Sequence, residues 1–299
     1  MLTYDEILGI AYLHLTGLGF LGNCILIFLN AINFFTDHKI RPKKLLIIHL
    51  SFSNAVLLLF RGIPTTTRLW GVKCFLNNLE IGIITYIQTT SRSLSLCSTC
   101  LLSAFQAITI SPSGSRWAEL KMKAPKYIMP SILLCWVFYL LLDMSVLLYV
   151  PGIMNTTDST DGCNTGYRSL DVHNKNHTKL IIITYIHHIL LLCLMTCSSV
   201  YMVLILHRHK KSVNHIHSNS LFIKTSPETR ATQTILILVG TFVLFNVISP
   251  VFIIHVFYTK FISNWMIHTS VFLSLGYPTI SPFILINIEN QIPKTCVHQ

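Results

Sequence analysis

The stretch "SPETRATQTILILVG", residues 226–240, begins as a helix should and then stops being polar. Ser226 suits a capping position, Pro227 the first helical position, and Glu228 lies against the positive end of the helix dipole. Beyond Arg230 the chain carries no Asp, Glu, Lys or Arg until Lys260. A helix in water would show a polar face within two turns. This one leaves its charged residues at its foot and continues into an apolar solvent.

The whole chain shares that character. Of its 299 residues 52% are hydrophobic and 11% are charged, with a mean hydropathy of +0.60. Globular domains average about 25% charged residues, so the composition is that of a polytopic membrane protein. A net charge of +11 would suggest nucleic acid in a soluble protein. Basic loops also orient membrane proteins, and the topology below accounts for the charge, so no nucleic-acid partner is expected. Zinc-like Cys/His spacing is missing from the nine cysteines. No metal and no cofactor is expected.

A membrane helix takes about 20 mostly apolar residues. Stretches 7–36, 180–207, 231–259 and 261–288 contain no formal charge, and three others qualify with one each: Arg61, Arg92 and Asp143. The pattern predicts an all-α membrane protein, a seven-helix transmembrane bundle in one domain over residues 1–299. Its spans fall at about 7–33, 45–69, 78–108, 127–150, 179–206, 231–258 and 265–288. Lys and Arg gather in alternate loops. Lys39, Arg41, Lys43 and Lys44 follow span one; Arg116, Lys121, Lys123 and Lys126 follow span three. Arg208, Lys210, Lys211, Lys224 and Arg230 follow span five, and Lys294 lies in the tail. The other side holds only Arg68, Lys73, Arg168, Lys175, Lys179 and Lys260.

Positive loops stay in the cytoplasm. The N-terminus is therefore expected outside and the C-terminus inside, with the basic runs against lipid headgroups. The long outside loop, 151–178, carries two N-glycosylation sequons, at Asn155 and Asn176. The opening "MLTYDE" has no basic n-region, so span one is expected to serve as an uncleaved signal anchor.

Seven spans with that orientation suggest a G-protein-coupled receptor, yet the rhodopsin-like signatures are mostly missing. Gly22-Asn23 fits loosely, and "LSFSN" offers Asn54 where an Asp is usual. No Asp-Arg-Tyr closes span three; span six reads "VISP" and span seven "SPFIL". Six segments match another pattern: "FRGIP" (60–64), "CLLSAFQAITISP" (100–112), "SRWAELKMKAPK" (115–126), "LHRHKK" (206–211), "SPETRATQTILIL" (226–238) and "YPTISPFIL" (277–285). In order from span two to span seven, they resemble the vomeronasal type-1 receptors, the pheromone-receptor family. The resemblance implies a sensory-neuron plasma membrane, a Gi/Go-type heterotrimeric G protein as partner, and a small chemosignal as ligand. It also implies a cysteine near the start of span three, bonded to the second outside loop. Alignment places Ile81 at that position, which leaves Cys74 and Cys163 as a shifted pair.

Ionisable residues inside spans are costly and are functional candidates by default. Arg92 lies near mid-membrane in span three, and Glu80 at its outer edge. Arg61 lies in the outer third of span two, Asp143 past the midpoint of span four, His187 and His188 in span five, His255 in span six and His268 in span seven. These groups are expected to gather in the outer half, around a ligand pocket, while the inner half stays mainly apolar apart from His49. "SRSLS" aligns with a segment in which the family also places an arginine. Arg92 then either donates to an oxygenated or anionic ligand or holds an internal ion pair with Asp143 or Glu80. Arg61 reads more readily as a side chain that snorkels or that braces the "RGIP" bend. His187 and His188 are adjacent and point about 100° apart on a helix, which suits a metal poorly.

Pro250, Pro278 and Pro282 interrupt spans six and seven as candidate hinges, with Ser249 and Ser281 placed to rebond freed carbonyls. Phe105 and Gln106, the run containing Arg208 and Lys210, and Arg230 are the candidate transducer contacts. A bitter-taste-type receptor is the rival within the receptor class, and a transporter or channel subunit the rival outside it. Transporters favour internal repeats, and none is visible here. Span seven has no lysine for a retinal Schiff base, which excludes an opsin. No nucleophile–base pair or phosphate loop suggests an enzyme.

Overall fold

The structure is a computed structural model that describes residues 3–37, 42–71, 78–111, 117–154, 175–216, 233, 236–245, 248 and 264–291. The described residues form seven helices: α1 (Tyr4–Asp37), α2 (Pro42–Leu69), α3 (Asn78–Ile110), α4 (Trp117–Met154), α5 (Lys175–Ile216), α6 (Leu236–Phe245) and α7 (Asn264–Gln291). Six of them, all but the shorter α6, are long and apolar enough to cross a membrane.

Local chemistry sets several boundaries. Thr3 and Glu6 form a capping box ahead of α1: the Thr3 amide donates to Glu6 Oε2 at 2.7 Å, and the Glu6 amide to Thr3 Oγ1 at 3.4 Å. Pro42 opens α2 where its missing N–H costs nothing. Gly71, at φ 68°, ends α2 in the left-handed region, and its amide donates to the Arg68 carbonyl at 3.1 Å.

Helix α3 runs through the middle of the bundle and packs on α2, α4 and α5, while α7 rests on α1 and α2. The main apolar core joins Leu46 and Leu50, Leu96 and Leu102, Met195 and Met202, Phe242 and Tyr277. Close approach depends on small residues, as is common between membrane helices. A Cβ on Gly19 would stand 2.9 Å from the Thr279 Cα, so the α1 and α7 backbones come close together there. Burial is uneven. Within the apolar windows it reaches 67% for α3 and 61% for both α2 and α7, but only 22% for α4 and 11% for α5.

Cys97 and Cys100 share a C-x-x-C spacing in α3 but do not pair with each other. Cys97 is disulfide-bonded to Cys135 of α4, and Cys100 is a buried free thiol. Cys74 and Cys163 lie outside the described residues.

Candidate functional site

Two polar regions are built on α3, one toward each end. With no water in a bilayer core, every buried polar group there needs a protein partner. The sequence "SRSLSLCSTCLLS" (91–103) supplies α3 with hydroxyls on several faces, and Ser91, Ser93, Ser95, Ser98, Thr99 and Ser103 are all buried.

The first region joins α1, α2, α3 and α7. Asn54 of α2 is fully buried; its Nδ2 donates to Ser281 Oγ at 3.0 Å, and its Oδ1 accepts from Ser95 Oγ at 2.6 Å. Thr99 Oγ1 meets the Tyr277 hydroxyl at 2.8 Å, and the Phe242 ring packs edge-on against Tyr277. His49 Nδ1 meets Ser98 Oγ at 2.5 Å. His49 thus adds an α2–α3 contact to the buried polar side chains of this region.

Proline sites in this frame are bridged between helices. A helical carbonyl accepts from the amide four residues on, and proline has no amide proton. Pro282 thus frees the Pro278 carbonyl, which accepts from Asn23 Nδ2 of α1 at 2.9 Å. Ser281, expected to rebond such a carbonyl, instead accepts from Asn54. Pro64 frees the Phe60 carbonyl in the same way, and Gln88 Nε2 of α3 donates to it at 2.6 Å. The Gln88 Oε1 accepts from Arg61 Nη1 at 3.2 Å, so the brace expected of Arg61 is a side-chain amide on the next helix.

The second region lies where α3, α4 and α5 meet. Tyr86, Thr90, Ser93 and Cys97 follow one face of α3 toward α4, and the Tyr86 hydroxyl donates to the Leu140 carbonyl at 2.9 Å. Asp143 is only 2% exposed, and its carboxyl faces the hydroxyls of Ser93 and Thr90. Ser93 Oγ also meets His188 Nε2 of α5 at 3.3 Å. Half-buried Arg92 lies within electrostatic reach of the same His188 ring. Tyr139 and Phe138 of α4 pack on His187, with the Tyr139 hydroxyl 3.4 Å from His187 Nδ1.

Of the residues singled out by sequence, this junction brings together Arg92, Asp143 and His188. Arg61 stands apart, between α2 and α3. Glu80 is exposed in the first turn of α3, and His255 lies outside the described residues. The Tyr12 hydroxyl donates to the His268 carbonyl at 2.8 Å, which ties α7 to α1. Sequence reasoning missed Tyr86, Gln88, Thr90, Ser93 and Tyr139. The available signal was the spacing of Tyr86, Thr90 and Ser93, one turn apart on the helix that carries Arg92.

Of the transducer candidates at the other end, Phe105 is half-buried, Gln106 is 5% exposed and Arg208 is exposed on α5. Lys210 falls within α5, as does the sequon residue Asn176. Arg230, Pro250 and Asn155 lie outside the described residues. Ser103–Ser198 and Ser111–Tyr201 hydroxyl pairs, at 2.8 and 2.9 Å, fasten α3 to α5 there.

Residues 7–298 match the model of the vomeronasal organ pheromone receptor family. The chain belongs to that family. Among its relatives, human vomeronasal type-1 receptor 3 is 38% identical, over 98% of this chain and 94% of its own length. Gorilla vomeronasal type-1 receptor 1 is 37% identical over 96% and 82%, and mouse vomeronasal type-1 receptor 45 is 32% identical over 92% and 86%. The protein is therefore a multi-pass membrane protein of a seven-helix chemosensory receptor family and not an enzyme, with a ligand and a G protein as its classes of partner.

Proposed function

We propose that this vomeronasal type-1 receptor binds a small, largely apolar chemosignal at the α3–α4–α5 junction and activates a Gi/Go-type G protein from the plasma membrane of a sensory neuron. One observation carries the site: a buried carboxyl, a histidine, an arginine and a row of hydroxyls converge on three helices. Arg92 donates to a ligand acceptor, with Asp143 and His188 beside it. Glu80, Arg61 and His255 remain as the other candidate ligand contacts. The excess of Lys and Arg in alternate loops supports an outside N-terminus and a cytoplasmic C-terminus. In that orientation the junction lies in the outer half.

Phe105, Gln106, Arg208, Lys210 and Arg230 then form the transducer face. Because Gln106 is buried, its contact with a G protein requires that end of the bundle to open. Pro250, Pro278 and Pro282 serve as the pivots, with Asn23 holding the Pro278 carbonyl. The Cys74–Cys163 bond and a glycan on Asn155 belong to the outer loops, and a glycan on Asn176 to the first turn of α5.

A reporter assay on surface-confirmed receptor, against a panel of volatiles and steroids, tests the reading. Dose-dependent responses that pertussis toxin abolishes, and that Arg92→Ala lacks at equal surface level, are expected. A response insensitive to the toxin would reject the Gi/Go assignment, and an Arg92→Ala receptor that responds normally would reject the site.

A further inference from the structure

Helix α6 is seated on α7 through two aromatic rings. The Phe242 ring meets Tyr277 edge-on, with centroids 4.6 Å apart and an interplanar angle of 83°, a geometry that aromatic pairs prefer. Phe245 lies over Gly276, where a Cβ would come within 2.5 Å of Phe245 Cε1. Both contacts fall on a stretch of α7 whose own backbone ladder is incomplete. Pro278 lacks the amide that would meet the Ser274 carbonyl, and Pro282 the one that would meet Pro278. Side-chain bonds to other helices therefore matter more here than elsewhere in α7. Thr99 Oγ1 gives its single proton to the Ser95 carbonyl at 2.9 Å. Across the 2.8 Å contact between α3 and α7, the Tyr277 hydroxyl is thus the donor and Thr99 the acceptor. Both residues are buried.

We propose that Tyr277 is the positioning residue that keeps the receptor silent without ligand: its bond to Thr99 of α3 holds in place the ring on which α6 rests. The inference rests on the transducer reading above, in which the bundle is closed at buried Gln106 and signalling requires that end to open. Without the bond the ring is free to turn, and Phe242 loses its seat. A contact present in only one of two states biases their ratio, so losing it raises the share of receptor with α6 released before any ligand binds. A residue that merely stabilised the fold would act in the opposite direction, because its loss leaves less competent receptor and a weaker signal.

The test is ligand-free signalling by the full-length receptor in cells at matched surface level, read with sensors for the four classes of heterotrimeric G protein. Amide exchange over residues 236–245 of the purified receptor is measured beside it. Tyr277→Phe keeps the ring and removes only the donor, and basal signalling is expected to rise about three- to fivefold, the weight of one interhelical hydrogen bond. Thr99→Val gives a similar rise, and the double variant no more than either alone, because both remove the same bond. Phe242→Leu raises it too, whereas Leu244→Ala, on the outward face of α6, leaves it unchanged. Basal signalling that stays level or falls in Tyr277→Phe overturns the inference and leaves the transducer reading standing. A rise seen only with sensors other than Gi/Go supports the inference and rejects the Gi/Go assignment. If no sensor responds to any form, the transducer reading fails and exchange decides. Exchange that quickens about three- to fivefold over 236–245 in Tyr277→Phe, with α1 and α2 unchanged, supports the seat, and equal exchange overturns it.

Discussion

Helices α1, α2, α3 and α7 hold one another through buried amides and hydroxyls at full hydrogen-bond contact, whereas among the described residues α4 and α5 are fastened mainly to α3 and turn most of their surface outward. The frame's interhelical contacts include two carbonyls freed by proline, each met by an amide from another helix. The α3–α4–α5 junction relies on ionisable groups, and it combines a buried carboxyl, a histidine and an arginine on three helices. In a bilayer, lipid tails are as apolar as the side chains, so helix association depends on packing and interhelical polar contacts. A region tied by neutral contacts across four helices is suited to stay fixed, and a junction of ionisable groups on more outward-facing helices is suited to bind.

Substitutions can break that contrast in order of size. Asn54→Leu removes two interhelical bonds and strands the hydroxyl of Ser281, so the purified receptor should lose about 2–3 kcal/mol of stability in a thermal unfolding assay. Unchanged unfolding would show that the frame is not held at Asn54. Gly19→Ala forces a Cβ against Thr279 and should cost about 1–3 kcal/mol by overpacking. Gly17→Ala on the same helix has nothing within 4 Å, and equal losses at the two sites would contradict the close α1–α7 approach.

The next effect is a coupling. Gln88→Leu strands the Phe60 carbonyl, but Pro64→Ala restores the backbone amide that would otherwise satisfy it. The double variant should therefore lose about 1 kcal/mol less than the sum of the single losses. Strict additivity in the same assay would mean that Gln88 does not serve the proline site. Smallest of all, Leu134→Ala and Leu190→Ala, on outward faces of α4 and α5, should shift stability by no more than about 0.5 kcal/mol. Losses as large as those in the frame would mean that these faces are covered by protein.

Reading from residues alone reached the helices because lipid imposes a long, charge-free pattern that few other solutions share. "SPETRATQTILILVG" carries that pattern in one line, and the six family-like segments carry the identity. Arg92, Asp143 and His188 stood out together for the same reason: an ionisable group in a span is rare enough to notice. What the sequence could not show was partnership. Serine and threonine are commonplace in membrane helices, so Thr90 and Ser93 drew no notice until α4 and α5 were placed against them. Gln88 was invisible for another reason, because its role depends on a carbonyl that Pro64 frees on a different helix. The same geometry reassigned Ser281, whose neighbour Pro282 suggested local rebonding while Asn54 had already engaged it.

The most direct measurement is the potency of several agonists on two sets of variants at matched surface level. One set alters the junction: Thr90→Val, Arg92→Ala, Ser93→Ala, Asp143→Asn and His188→Ala. The other alters the frame: Gly19→Ala, Asn23→Leu, Asn54→Leu and Gln88→Leu. Junction variants should change the ratio of potencies between agonists by about tenfold or more. Frame variants should lower the response to every agonist alike. Frame variants that reorder the agonists, with junction variants that leave the order intact, would contradict the division of the bundle into a fixed frame and a binding junction.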